Sequence, residues 1–234
     1  MAAIFVQLTG SLVQVFGNKN DIMGWKDFEL WGGKMGIDFS AVFKHSLDVT
    51  AIEVFKEEII KGTRFPKVVK CIKEVNFHNP HLDRQWLLNR DRISESRNFG
   101  PFDPVLIGDE EYVELGGPGG FRFIFNKYIC EFSPCFRWYH FIENQELQFE
   151  LRGICQEFAD YFGYNFAIYM GDNYCALDYV FEGRDMDYYK ANLMSRFGKA
   201  KSSIGALIQK TNSGWKSEGY FIDDFNDLQR NALS

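Results

Sequence analysis

The stretch from Glu146 to Phe197 decides the fold. Its three blocks are ELQFELRGICQEFADYFG (146–163), YNFAIYMGDNYCALDYVFEGR (164–184) and DMDYYKANLMSRF (185–197). In the first block apolar residues recur at helical spacing, and Gly163 is a typical helix stop. Tyr164–Met170 is apolar and short, as expected of a buried strand. Asp185 can cap a helix over Met186–Phe197. The stretch therefore predicts a helix, a buried strand, an acidic connection and a second helix.

The chain before this stretch predicts sheet and helical cover. Residues 3–8 and 12–16 are apolar, β-rich runs around Gly10-Ser11, which predicts a hairpin. A helix is predicted over Thr50–Lys61, because Thr50 and Glu53 have capping-box spacing. Pro66 is expected to open a second helix, since proline is favoured in the first helical turn. A strand is the alternative for this segment, because its Val and Ile residues fit either structure.

From Tyr112 onward the pattern predicts an antiparallel meander. Short aromatic and β-branched runs alternate with turns in this region: Tyr112–Leu115, Phe121–Phe125, Lys127–Phe132 and Phe136–Ile142. A last strand is expected at Gly219–Ile222. Together these elements predict a single α+β domain, a mostly antiparallel sheet with helices packed against it. The prolines near residues 99–104 leave a weak subdivision open.

Composition narrows the classes of function. The net charge is −6 and neither half of the chain is basic, so a nucleic-acid footprint is absent. No apolar run is long enough to span a membrane. The 5 Cys are scattered without a CxxC pair, and the N-terminus lacks a basic segment, so we expect a cytoplasmic protein. The 17% aromatic content fits either a thick core or an aromatic partner surface.

The sequence carries no diagnostic catalytic motif. The glycine run at 116–120 leads into a strand rather than a helix, so it predicts a turn and not a phosphate loop. No G-x-S-x-G occurs, and His140 is expected inside a strand. His78, His81 and Asp83 could form a two-His, one-carboxylate metal site. The same residues also fit a polar surface loop, so no cofactor is predicted.

Carboxylates and aromatic residues cluster after the predicted strands near Met170 and Ile222. We predict a partner-binding surface made of Asp172, Tyr174, Asp178, Tyr179, Glu182, Asp185, Asp187, Trp215, Tyr220, Asp223 and Asp224. Tyrosine and tryptophan beside charged groups are typical of interface anchors. If the two strand ends lie close together, the carboxylates share one rim. A catalytic metal rim and a solvated face with helix caps are the other interpretations.

The C-terminal part also resembles a known class of protein in its layout. Phe158-Ala-Asp-Tyr-Phe-Gly163 is followed by Phe166-Ala-Ile-Tyr-Met-Gly-Asp172, by a helix ending at Gly198, and by Gly219-Tyr-Phe-Ile-Asp-Asp224. This order is similar to that of small bacterial immunity proteins, which protect a cell from polymorphic or contact-delivered toxins. The resemblance implies a non-catalytic, tight-binding protein of the cytosol, and it transfers no binding residue.

The leading expectation is therefore a non-enzymatic protein-binding module, specifically an immunity protein with a cognate toxin as its partner. One alternative is a metal-dependent or other hydrolase that uses the carboxylate rim or the His78, His81 and Asp83 group. Another is an assembly subunit of a phage or secretion system. The sequence leaves the oligomeric state open.

Overall fold

The computed structural model describes residues 4–8, 11–15, 37–78, 87–88, 112–117, 121–134, 136–172, 179–180, 182–211 and 214–226. Within them, side chains are described for 37–72, 112–117, 121–134, 136–172, 179–180, 182–209 and 217–226.

Strands make up the centre of the described structure. They are β1 (Ile4–Leu8), β2 (Ser11–Val15), β3 (Phe39–Lys44), β4 (Leu87–Leu88), β5 (Val113–Gly116), β6 (Phe121–Phe125), β7 (Ile129–Pro134), β8 (Phe166–Gly171), β9 (Ile208–Thr211), β10 (Gly214–Ser217) and β11 (Phe221–Asp224). The main sheet has seven strands in the order β11-β8-β3-β7-β6-β5-β4. Each neighbouring pair is antiparallel. The pairs β1–β2 and β9–β10 form separate hairpins.

Helices pack against this sheet. They are α1 (Val49–Lys61), α2 (Pro66–His78), α3 (Trp138–Glu143), α4 (Gln145–Phe162) and α5 (Met186–Phe197), and a 3-10 helix spans Ile204–Leu207. The predicted α+β fold, an antiparallel sheet with helices against it, is confirmed.

One face of the sheet, here the first face, is covered by α1 to α4. Alternation along the strands places Phe39 and Phe43 of β3 with Phe123 of β6 on this face. Phe158 of α4 lies at its centre, with ring centroids 4.9 Å from Phe123 and 5.1 Å from Phe132. Among the residues whose side chains are described, most phenylalanines are therefore part of the core.

The opposite face, here the second face, is covered by α5. Met186, Tyr189 and Leu193 of this helix pack on the alternate strand residues, including Val42 of β3 and Ile168 of β8. This apolar cluster is smaller than that of the first face, and polar side chains of the sheet lie beside it. The chain therefore builds two unequal layers on one sheet.

The stretch that decided the prediction is confirmed: α4, β8 and α5 follow in the expected order. Gly163 ends α4 with φ 78°, a left-handed conformation that glycine adopts without strain. Pro66 opens α2 and the β1–β2 hairpin forms, both as expected. The suggested subdivision near 99–104 lies outside the described residues.

Two local predictions were wrong. Residues 136–142 do not form a strand, because 138–143 form α3, and His140 lies on that helix. Trp138, Phe141 and Ile142 are its buried residues, a spacing of three and four that fits a helix. The cap of α1 is Asp48, whose carboxylate accepts from the Ala51 amide at 2.8 Å, and not Thr50.

Candidate functional site

A buried asparagine fixes the start of the predicted binding segment. Asn126 lies in the β6–β7 turn and is 4% exposed. Its Oδ1 accepts from the amides of Tyr128 at 2.7 Å and Ile129 at 2.8 Å. Its Nδ2 donates to the carbonyls of Val180 at 3.1 Å and Arg184 at 3.0 Å. Because amides face one end of the side chain and carbonyls the other, its orientation is determined. One side chain thus ties the hairpin tip to the segment before α5.

An acidic–aromatic patch lies next to the residues that Asn126 holds in place. We define the acidic–aromatic patch as Tyr179, Glu182, Arg184, Asp185, Asp187 and Tyr188. The Arg184 guanidinium lies 4.5 Å from the Tyr188 ring centroid, and its Nε is 3.2 Å from Glu182 Oε2. The rings of Tyr179 and Tyr188 are 6.1 Å apart. Asp185 caps α5 by accepting from the Tyr188 amide at 2.8 Å. Tyr188 remains 42% exposed, so the patch presents an aromatic ring within a charged surround.

The condition for a shared carboxylate rim, that the ends of β8 and β11 lie close together, is not met. In the β8–β11 pair, Phe221 lies opposite Tyr169 and Asp224 lies opposite Phe166. Antiparallel strands place their carboxyl ends at opposite ends of the pair. Asp172, which follows β8, is therefore separated from Asp223 and Asp224 by the length of the strands. Asp172 therefore does not share a rim with Asp223 and Asp224.

Two of the predicted partner residues are buried. Asp223 is 2% exposed, and both of its oxygens accept from Arg152, at 2.6 and 2.8 Å. The Tyr169 hydroxyl donates to the same carboxylate at 2.9 Å. Tyr220 is 3% exposed, with its hydroxyl 3.2 Å from the Gly198 carbonyl. Asp223 and Tyr220 are therefore buried, hydrogen-bonded structural residues. Asp224, in contrast, is exposed at the end of β11.

Asp172 is hydrogen-bonded to the main chain of Asp38 at the carboxyl end of β8. Its Oδ1 accepts from the Asp38 amide at 2.9 Å, and its own amide donates to the Asp38 carbonyl at 2.9 Å. Arg137 donates to Asp38 Oδ1 at 2.8 Å. Burial raises the pKa of Asp38, the Arg137 charge opposes this, and the Asp172 charge adds to it. The Arg137 guanidinium thus partly compensates the charges of two neighbouring carboxylates.

A buried glutamate on the second face was not anticipated. Glu131 of β7 is 1% exposed and lies opposite Val42 of β3 and Ile124 of β6. Its Oε1 accepts from the Ser40 hydroxyl at 2.7 Å, whereas its Oε2 has no hydrogen-bond partner among the described residues. Burial raises the pKa of Glu131 despite the opposing Ser40 bond and Arg122 charge. A buried carboxyl with a displaced pKa is a recognised marker of a functional position.

The feature of the sequence that marks Glu131 is its position within an apolar strand. In Ile129-Cys-Glu-Phe-Ser133 a carboxylate interrupts an apolar strand in the middle of the meander. A charged residue is almost never fully buried in such a place without a partner. A single glutamate has no characteristic spacing, so no sequence motif marks this position.

Several predicted site residues lie outside the described part. These are Tyr174, Asp178, His81, Asp83 and the side chains of His78 and Trp215. Over the described residues, no group of three or more His, Cys, Asp or Glu side chains is arranged to hold a metal ion.

Comparisons with known proteins add no relationship, since no family model, curated protein or solved structure matches the chain. None of the helices in the described ranges is long and apolar enough to cross a membrane. The layout resemblance to immunity proteins stays a prediction.

Proposed function

We propose that the protein is a non-enzymatic protein-binding module, and specifically a cytosolic immunity protein that neutralises a bacterial toxin. The acidic–aromatic patch is the proposed contact surface. The observation that carries the proposal is the pair of hydrogen bonds from Asn126 that holds Val180 and Arg184 against the β6–β7 turn.

Prior ordering of the patch supports tight binding. Association loses free energy when loops and side chains must be immobilised, so a surface that is already ordered binds more strongly. Here the buried Asn126 amide and the Asp185 cap order the backbone. The Arg184–Glu182 pair and the Arg184–Tyr188 stack are exposed, and each contributes only about 0–1 kcal/mol to the fold. Their side chains can therefore be redirected to a partner at small cost.

The residue types of the patch indicate a partner with a basic surface. Tyrosine and arginine are enriched among residues that dominate binding free energy. Glu182, Asp185 and Asp187 outnumber Arg184 and give the patch a net negative charge. Complementary charge accelerates encounter and selects against acidic partners. A toxin whose active site binds a polyanion would present such a basic surface.

Mixing the protein with the product of a toxin-like gene encoded next to its own gene tests the proposal. We expect a stable complex at micromolar concentration and loss of the toxin's activity. Tyr188→Ala should weaken the complex by at least about tenfold, as truncation of an aromatic anchor does. Absence of a complex with wild-type protein at these concentrations would overturn the proposal.

Tyr139 provides the matched control. It is a tyrosine on a helix with 46% exposure, close to the 42% of Tyr188, but it belongs to α3 rather than α5. Tyr139→Ala should leave the affinity within about twofold of wild type, as expected for a residue outside the interface. Equal losses in the two variants would exclude the acidic–aromatic patch as the contact surface.

A further inference from the structure

A surface of opposite charge lies beside the acidic–aromatic patch. We define the basic–aromatic patch by its lysines and the rings that they cover: Lys44, Lys127, Tyr128, Tyr164, Phe166 and Lys190. Lys44 is the last residue of β3, Phe166 is the first residue of β8, and Lys190 lies on α5. The basic–aromatic patch therefore surrounds the end of the sheet at which β3 stops and β8 begins.

Two of these lysines lie close together. The Lys190 Nζ is 4.0 Å from the Phe166 ring centroid, and the Lys44 Nζ is 5.2 Å from that of Tyr164. Burial lowers the pKa of Lys190, the Asp187 charge opposes this, and the Lys44 charge adds to it. The ammonium groups of Lys44 and Lys190 are therefore near enough to act on each other as like charges.

The third lysine lies on the β6–β7 turn, which joins the two patches. Lys127 is exposed, and its Nζ is 5.4 Å from the Tyr128 ring centroid. The Tyr128 carbonyl accepts from the amide of His45, the residue that follows β3, at 3.1 Å. Asn126 of the same turn donates to the Arg184 carbonyl of the acidic–aromatic patch. The two patches therefore lie side by side on one surface.

The positive charge of the basic–aromatic patch is not neutralised within the described residues. Two carboxylates border the patch: Asp187 lies three residues before Lys190 on α5, and Asp224 lies opposite Phe166 in the β8–β11 register. In that part of the chain no ion pair joins either carboxylate to a lysine of the patch. The surface thus has a positive half and a negative half.

We propose that these two halves bind a second copy of this chain, so that the protein forms a two-fold symmetric dimer. With the symmetry axis near the β6–β7 turn, the acidic–aromatic patch of each copy lies on the basic–aromatic patch of the other. Two-fold dimers are the commonest homo-oligomers, and their interface must be complementary to itself. Two adjacent patches of opposite charge meet that requirement.

Other anionic partners fit the basic–aromatic patch less well. The bases of a single-stranded nucleic acid stack on open ring faces, whereas the lysine ammonium groups lie over these rings. A purely acidic ligand would neutralise the positive half and leave the negative half without a partner. A second copy neutralises both halves and places tyrosines, which are enriched at interfaces, on both sides of the contact.

Sedimentation velocity of the whole chain measures the oligomeric state. We expect a monomer–dimer equilibrium with a dissociation constant between about 1 µM and about 1 mM at low salt, the range of weak interfaces. Association should weaken as the salt concentration rises, because salt screens exposed charges.

Reversal of the charges in either half should break the dimer. Lys127→Glu with Lys190→Glu makes both halves negative, and Glu182→Lys with Asp187→Lys makes both halves positive. Each double variant should associate at least about tenfold more weakly than wild type, because like charges then face each other. An equimolar mixture of the two should form a mixed dimer in which opposite charges meet again. Recovery in the mixture also shows that both variants are folded.

Lys61→Glu with Lys70→Glu is the matched control. It changes the net charge by the same amount as the lysine variant of the interface. These two lysines lie on α1 and α2, against the first face, in exposed pairs with Glu58 and Glu150. Association of the control should stay within about twofold of wild type, since exposed charges outside the contact are largely screened.

Self-association that is lost in both interface variants, restored in their mixture and retained in the control supports the dimer. A wild-type protein that is monomeric at every concentration and at low salt would overturn the dimer, and it would leave the basic–aromatic patch to an acidic partner of another kind. Equal losses in the control and the interface variants, or no recovery in the mixture, would also overturn it. The measurement needs no toxin, so its failure is distinct from failure of the proposed function.

Discussion

The two faces of the sheet differ in the side chains that they bury. On the first face Phe158 is surrounded by rings, with Phe65 at 5.5 Å and Phe55 at 5.9 Å between centroids in addition to those of the strands. On the second face a single described helix, α5, covers apolar strand residues next to a buried carboxyl. Aromatic packing adds stability, whereas a buried carboxyl removes it. The difference indicates that the first face contributes more to the stability of the fold than the second face does.

The largest contrast is expected from truncation of one core residue on each face. Phe158→Ala should lower the free energy of unfolding by about 3–5 kcal/mol, since it leaves a large cavity among rigid rings. Leu193→Ala on α5 should cost about 2 kcal/mol, the lower end for an aliphatic truncation. Urea denaturation of both variants measures the difference. Equal losses would remove the proposed asymmetry of the two faces.

The next largest effect is the pH dependence of stability that a buried histidine on the first face should cause. His45 is 3% exposed and its ring lies 5.4 Å from that of Phe125. Burial lowers the pKa of His45 from 6.5 to about 4. The unfolded chain therefore binds a proton that the folded chain excludes, so stability falls as pH decreases through this window. The loss should reach about 3 kcal/mol below the folded pKa.

Denaturation curves at a series of pH values between neutrality and the folded pKa would show this slope. His45→Gln should remove it, whatever the variant's stability at neutral pH. An unchanged slope in His45→Gln would assign the pH dependence to other groups.

Removal of the tie between hairpin and patch should have an intermediate effect. Asn126→Ala leaves the carbonyls of Val180 and Arg184 and two turn amides without their partner. We expect a loss of about 1–3 kcal/mol and weaker toxin binding, because the patch is no longer ordered in advance. Asn192→Ala is the control. Its exposed amide donates to the Tyr188 carbonyl at 3.2 Å, and the change in the free energy of unfolding should stay within about 0.5 kcal/mol. If the two variants behave alike, Asn126 does not order the patch.

The smallest effect has the opposite sign. The raised pKa of Glu131 means that the folded chain retains a proton that the unfolded chain loses above its ordinary pKa of 4.5. Stability is therefore lost as pH rises from 4.5 through the folded pKa, and Glu131→Gln should increase the free energy of unfolding at pH 7 relative to wild type. The gain should vanish at pH values below the ordinary pKa. Glu182→Gln, at an exposed position, should change nothing, and a destabilised Glu131→Gln would contradict this reading of the second face.

Local signals in the sequence were sufficient for α4, β8 and α5, because helical periodicity, Gly163 and Asp185 act within a few residues. They were insufficient for β3, which was not predicted. Five of its residues in a row are buried, so burial does not alternate along the strand as it does in a half-exposed strand. Strand order and the opposite placement of Asp172 and Asp223 depend on pairing between distant segments. The pairing of Ser40 with Glu131 joins residues 91 positions apart, so no spacing rule could have found it.

Native-state hydrogen exchange tests the division between the faces most directly. We expect the amides of α4 around Phe158 to exchange only through global unfolding, and those of α5 around Leu193 to exchange through a local opening of lower free energy. In Phe158→Ala, protection of α4 should fall with global stability while the local opening of α5 stays unchanged. Equal protection of α4 and α5 in the wild type, falling together in the variant, would contradict the account.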